Sequence, residues 1–203
     1  MSFTPDELER FARTHLEYEV CIAAHTAAMW QNGPGILDRA AQSAFMISSL
    51  VHLRLLDDFF GMKKRPVIAG REMRDVMALD YVSHWTPVRP LGDRRDAVNV
   101  QVAHLSMDRL EGLPWNVLRL TVDVLEVFGT FVGQLTPLMA EALEGAEVVA
   151  EAFVNWSARF DLDHPEDLGD LGEPYTFLGT PSTTTNGDPI TTWPFDPSPI
   201  RGS

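Results

Sequence analysis

Two stretches hold the side chains with which this chain could do chemistry. The first is Ser48 to Phe60, SSLVHLRLLDDFF, where His52, Arg54, Asp57 and Asp58 stand among apolar residues. An imidazole titrates near neutrality, so His52 could bind a ligand or move a proton; the alternative is a core histidine bonded to Ser48 or to a backbone group. At about 100° per residue, His52 shares a helix face with Phe45, Ser48, Leu56 and Phe59, whereas Arg54, Asp57 and Asp58 fall on another side. Arg54 precedes the two carboxylates by three and four residues, which predicts an intrahelical ion pair of a few tenths of a kcal/mol on an exposed face. On a buried face its planar fork could instead hold a loop carbonyl or a partner carboxylate. These four are the candidate ligand-binding residues.

The second stretch is NVQVAHLSMDR, Asn99 to Arg109. His104 and Asp108 are one helical turn apart, a spacing at which a carboxylate orients an imidazole and raises its basicity. That is half of an acid/base device. A group to hold an anion must come from elsewhere, and Arg94, Arg95, Arg109 and Lys64 are available. The candidate catalytic set is His104, Asn99, Arg95 and Asp108, with a purely structural His104–Asp108 hydrogen bond as the alternative. His15 and His25 are ten residues apart, on the order of 15 Å along a helix, too far to share a metal. They are expected to be buried or half-buried packing residues, each with a polar partner. No HExxH or bundle-type Glu-x-x-His pair, P-loop, dinucleotide fingerprint or GxSxG elbow occurs, so the sequence calls for no metal and no cofactor.

Composition sets the outer bounds. A chain of 203 residues with 45% hydrophobic and 22% charged residues is long enough for one domain with a real core. A net charge of -13 argues against a broad nucleic-acid or anionic-membrane surface and leaves room for a local basic pocket. Cys21 is the single cysteine, which excludes an internal disulfide and fits a reducing cytoplasm. It lies in an apolar helical pattern, as an inert core thiol would. The N-terminus carries acids where a secretory signal has bases, and no apolar run is long enough to span a membrane.

The elements that must position these groups are helical. Thr4, Pro5 and Glu7 predict a capped helix start, and Leu8, Phe11, His15, Tyr18, Ile22, His25 and Met29 form a seam up to Asn32. A second helix is predicted from Ile36 to Phe60, with Leu37, Ala41, Ala44, Ser48, Val51, Leu55 and Phe59 as its stripe and Gly61 as its end. Lys63, Lys64 and Arg65 then form a basic loop, solvated or holding a phosphate. A short helix is predicted over Arg71 to Tyr81, and a central one over Arg94 to Leu110. A long apolar helix begins at Trp115 with the stripe Leu118, Val122, Leu125, Phe128 and Val132. Pro137 ends or kinks it, and a last stretch runs from Thr136 to Phe160, weakened at Gly145. The expected architecture is an all-α bundle of about five helices over residues 1–160.

From Asp161 the pattern changes. Residues 161–203 hold seven of the 14 prolines and eight acids against one base. Such a segment cannot bury enough surface to fold alone, so an extended or disordered acidic tail is expected. Tyr175, Phe177, Trp193 and Phe195 are spaced as anchors by which it could dock.

HLRLLDDFFG, DVMALDY and NVQVAHLSMDR resemble the signature segments of a group of uncharacterised bacterial all-helical proteins. The last is similar in type to the motif of HEPN domains, where a basic residue and a histidine a few positions later form a metal-independent ribonuclease or nucleotide-binding site. The similar segments run from about Ser48 to Arg109. The resemblance implies that His104 would polarise an attacking ribose hydroxyl while a cation or amide holds the phosphate. Asn99 stands five residues before His104, where that family usually has arginine, and Arg95 stands nine before it.

The expected function is a non-catalytic, intracellular helical interaction or assembly module, self-associating or binding a protein partner, with a docking tail. The rival is a HEPN-like ribonuclease or nucleotide-binding domain using His104 with Arg95 or Asn99, for which RNA would be the partner. A small-ligand binder near His52 and His104 is a third reading.

Overall fold

The computed structural model describes residues 3–32, 39–103, 116–160 and 162. The first helix starts as its sequence predicts. The Glu7 amide donates to Thr4 Oγ1 at 3.2 Å, and the Thr4 amide donates to Glu7 Oε2 at 2.9 Å. The same contacts, the Thr4 amide foremost, hold the Glu7 carboxyl below its ordinary pKa.

α1 (Pro5–Phe11) passes through one π-helical segment, Ala12–Leu16, into α2 (Glu17–Asn32). In the wide turn Thr14 Oγ1 donates to the Arg10 carbonyl at 2.7 Å, competing with the backbone for that acceptor. The extra residue of a π turn rotates every later side chain by roughly 100° relative to an unbroken helix. The predicted seam is displaced accordingly. Ala12, Leu16, Val20, Ala24 and Ala27 are buried, whereas Tyr18 is 53% exposed. His15 is not a packing residue but lies at the surface against the Phe11 ring; His25 is half-buried, and burial lowers its pKa. The buried alanines let the next helix approach until Ser49 Oγ reaches the Ala23 carbonyl at 3.4 Å.

That next helix is α3 (Arg39–Gly61). Its buried stripe is Ser49, Leu50, Leu53, Leu56, Asp57 and Phe60, joined by the predicted Phe59. The predicted stripe member Leu55 is 46% exposed. An aspartate interrupts the apolar pattern of the true stripe, so the neighbouring face looks more regular in sequence.

Past α3 the chain makes a short antiparallel hairpin, β1 (Val67–Ile68) with β2 (Arg71–Glu72). Ala69 and Gly70 turn it with φ of 51° and 77°, positive at both central positions as a tight two-residue hairpin requires. The helix predicted over Arg71 to Tyr81 is therefore confined to α4 (Ala78–Tyr81), whose start is fixed by the Met77 amide donating to Asp80 Oδ2 at 2.9 Å. β-branched Val67 and Ile68 before a glycine favour the pleated ribbon over a helix.

α5 (Arg94–Ala103) packs on α3 with Val98 buried. α6 (Val117–Val132) is capped by the Asn116 side chain, which accepts from the Arg119 amide at 2.9 Å; its predicted stripe of Leu118, Val122, Leu125, Phe128 and Val132 is buried. Pro137 opens a separate short helix, α7 (Pro137–Glu141), before α8 (Glu144–Ser157). The stretch breaks at Ala142 and Leu143, just before Gly145, which sits in the first turn of α8 and leaves room for the Glu17 side chain: a Cβ there would stand 2.5 Å from Glu17 Oε1. Burial raises the pKa of the Glu17 carboxyl.

α2, α3, α6 and α8 form the bundle core, and the protein is all-α apart from the hairpin. At one end Phe131 of α6 meets Phe59, Phe60, Tyr81 and Trp85, with centroids 5.3–5.7 Å away. Among the described residues no helix is long and apolar enough to cross a membrane. The displaced stripe of α3 has a measurable consequence: Leu53→Ala should cost about 2–5 kcal/mol in urea unfolding, and Leu55→Ala no more than about 1 kcal/mol.

Candidate functional site

Asp57 is 0% exposed, yet it is charged chemistry in the middle of a core stripe. Three donors meet it. The Leu91 amide donates to Oδ1 at 3.0 Å, and Arg89 Nη1 and Arg95 Nε donate to Oδ2 at 2.9 and 3.1 Å. Asp58, half-buried beside it, accepts from Arg95 Nη2 at 2.5 Å and from Arg89 Nη1 at 3.2 Å. Two carboxylates and two guanidiniums thus form one network between the last turns of α3, the loop before α5, and the first turn of α5. Those bonds, the one to Asp58 first, raise the pKa of Arg95 and keep it a fixed cation.

The backbone around this network is shaped to allow it. Gly61 leaves room for the Arg89 side chain, whose Cγ would be only 2.5 Å from a Cβ at that position. Phe60 offers its carbonyl to the Trp85 indole at 3.0 Å and to the Val88 amide at 3.2 Å, so the loop crosses the end of α3 on several hydrogen bonds. A second arginine clamp closes the other side: Arg65 Nη2 donates to Asp80 Oδ1 at 2.5 Å and Nε to the Asp75 carbonyl at 3.0 Å. Of the predicted basic loop, Arg65 is therefore structural, and Lys63 and Lys64 are exposed.

Between the two clamps lies a groove of about 510 Å³. Lys64, Arg65, Arg89 and Arg95 line it with Asp58 and Asp75, and Met62 and Val67 give it an apolar part.

The predicted candidates are distributed over three places. Asp57, Asp58 and Arg95 meet in the network. Arg54 does not join them, contrary to the expected intrahelical pair: both carboxylates point at the loop and α5, which carry the better-placed guanidiniums. Among the described residues its Nε and the Oδ1 of Asn99 are buried without a hydrogen-bond partner. Arg54 stands one turn before Asp58 on α3 and Asn99 one turn after Arg95 on α5. His52 lies apart, with Nδ1 at 2.6 Å from Glu19 Oε2 and its ring edge-on to Tyr18 at 5.8 Å. An ionised carboxylate only accepts, so Nδ1 is the donor in this contact. His52 is thus bonded to Glu19, not to Ser48 or the backbone. His104 and Asp108 lie outside the described residues, as do the tail anchors Tyr175, Phe177, Trp193 and Phe195.

Sequence reasoning missed Arg89 and Glu19. Each acts on a residue more than 30 positions away, at a separation where no helical spacing brings charges together; the signal for Arg89 was only its place between Pro87 and Pro90 in a loop following two acids that needed cations. Cys21 is buried and its thiol is pushed up to about 12 by burial, the inert core residue expected. Among the described residues no group of His, Cys, Asp and Glu is placed to hold a metal ion.

Comparison with protein-family models, curated proteins and solved structures finds no match for this chain.

Removing the buried carboxylate leaves the Leu91 amide without its acceptor and the two guanidiniums with Asp58 alone. Asp57→Ala should therefore cost about 3–5 kcal/mol in chemical denaturation, against about 1 kcal/mol for the more exposed Asp58→Ala.

Proposed function

We propose that this chain is a non-catalytic helical interaction and assembly module that self-associates through the face carrying the hairpin. The observation that carries this reading is the exposure of Val67 and Ile68, 66% and 59%, on a two-stranded ribbon held away from the bundle. Met73, just after the ribbon, is exposed as well. A two-stranded sheet also has both outer edges unpaired, a ready template for another chain. The network at Asp57 supports the same reading, because it uses its arginines to hold the hairpin-bearing excursion in place rather than to present them to a substrate. A cytoplasmic setting, with the acidic tail 161–203 as a second docking element, belongs to the same proposal.

Val67 and Ile68 point to opposite faces of the ribbon, so a charge at each would disrupt such an interface on either face without touching the core. Light scattering of the wild type should give a mass that rises with concentration, and the double variant Val67→Glu, Ile68→Glu should remain at the mass of one chain. A wild-type mass independent of concentration, or an unchanged mass in the variant, removes the hairpin from assembly.

A second reading, the HEPN-like ribonuclease using His104, is favoured by one observation: the unpartnered atoms of Arg54 and Asn99. Arg95 is engaged with Asp57 and Asp58, so in this reading Arg54 is the cation left to hold a phosphate, with Asn99 on α5, the helix that packs against α3. The rival expects RNA cleavage in EDTA that disappears in His104→Ala and falls in Arg54→Ala with helicity retained. Absence of cleavage by the wild type would eliminate it.

A further inference from the structure

Charge is distributed unevenly along this chain. Residues 57–98 carry eight of the 16 Lys and Arg and seven of the 29 Asp and Glu, a net of +1 in a protein of -13. The structure gathers Lys64, Arg65, Arg89 and Arg95 of this stretch around the groove, directly beside exposed Val67 and Ile68. At the other extreme, residues 163–177 hold five acids and no Lys or Arg, interleaved with Leu168, Leu171, Tyr175 and Phe177. A groove lined by four cations and two carboxylates, next to exposed apolar residues, thus has on the same chain a segment of opposite charge that also carries apolar side chains.

The geometry points to one occupant for the groove: the acidic segment 163–177 of the same chain, which we infer docks there in cis and covers the hairpin face. This rests on the reading of that face as the self-association surface. The described chain ends at Leu162, whose carbonyl accepts from the side chain of Asn116 at the start of α6. The groove lies at the opposite end, where Phe131 of α6 meets the rings at the end of α3. Sixteen residues of α6 span about 24 Å, and the eleven residues from Leu162 to Glu173 reach up to about 36 Å when extended. The acids and the aromatic anchors can therefore arrive at the groove. Tethering also decides between occupants. The overall negative charge repels a free polyanion, whereas an attached segment is held at an effective concentration on the order of millimolar whatever the long-range field. With its arginines already paired to aspartates, the groove offers modest rather than intense positive potential, suited to a weak, reversible cover.

The test uses the full chain with the segment neutralised: Asp163→Asn, Glu166→Gln, Asp167→Asn, Asp170→Asn and Glu173→Gln together. Hydrogen exchange at the amides of residues 65–73 should quicken by roughly three- to tenfold, while α2 and α3 exchange as in the wild type. Lys64→Glu should do the same from the groove side, and 0.5 M salt should shrink the wild-type protection. Light scattering of the neutralised chain should show more association, because the hairpin face is uncovered. Unchanged exchange in both variants overturns the docking, whatever the mass does. Protection that is lost on dilution, with a mass that falls on neutralisation, assigns the segment to a second copy and overturns the cis arrangement. Protection of residues 65–73 gained by added polyuridylate and unaffected by neutralisation gives the groove to RNA instead. If exchange quickens but Val67→Glu, Ile68→Glu leaves the mass unaltered, the docking stands and the assembly reading falls.

Discussion

The end of the bundle that carries the hairpin depends on one buried carboxylate. Asp57 sits at 0% exposure in the core stripe of α3, a place where an ionised group is tolerated only if its desolvation is offset by charge and hydrogen bonds. Arg89, Arg95 and the Leu91 amide supply both. Arg89 and the Leu91 amide come from the loop before α5 and Arg95 from the first turn of α5, so satisfying Asp57 also determines where the loop crosses and where α5 begins. Asp58 widens the network to the surface: it takes the second branch of the Arg95 guanidinium and shares Arg89 Nη1 with Asp57.

The aromatic end of the bundle follows from the same constraint. With the loop pinned across α3, Trp85 reaches the Phe60 carbonyl and packs against Phe131, and Phe131 in turn holds α6 against the last turns of α3. The Arg65–Asp80 clamp then fixes both feet of the segment that carries β1 and β2. The ribbon between them, with Val67 and Ile68, is left exposed. An exposed apolar element on a firmly anchored base is suited to docking, because little ordering entropy remains to be lost when it is covered.

The parts that were legible in the sequence are those set by local chemistry. The Thr4 cap, the helical character of the chain, the buried stripe of α6, the end of α3 at Gly61 and the inert Cys21 all follow from residue spacing. The two long faces that were misplaced have specific causes. The π segment at Ala12–Leu16 rotates α2, and Asp57 disguises the true stripe of α3. The Arg71 to Tyr81 helix was mistaken because the positive φ at Ala69, a residue that seldom adopts it, hides the hairpin turn.

For the candidate site the division is sharper. The sequence alone determined that Asp57, Asp58 and Arg95 carry unusual charge in a helical context and that the tail is acidic and proline-rich, since these are properties of composition and near-neighbour spacing. Only the tertiary structure decided that Arg89 and Arg95, rather than Arg54, take the two aspartates, and that His52 answers to Glu19. Partners separated by 30 or more residues are chosen by which donor the packed backbone brings to a desolvated carboxylate, and burial, which makes that choice energetically compelling, does not exist until the helices are in contact.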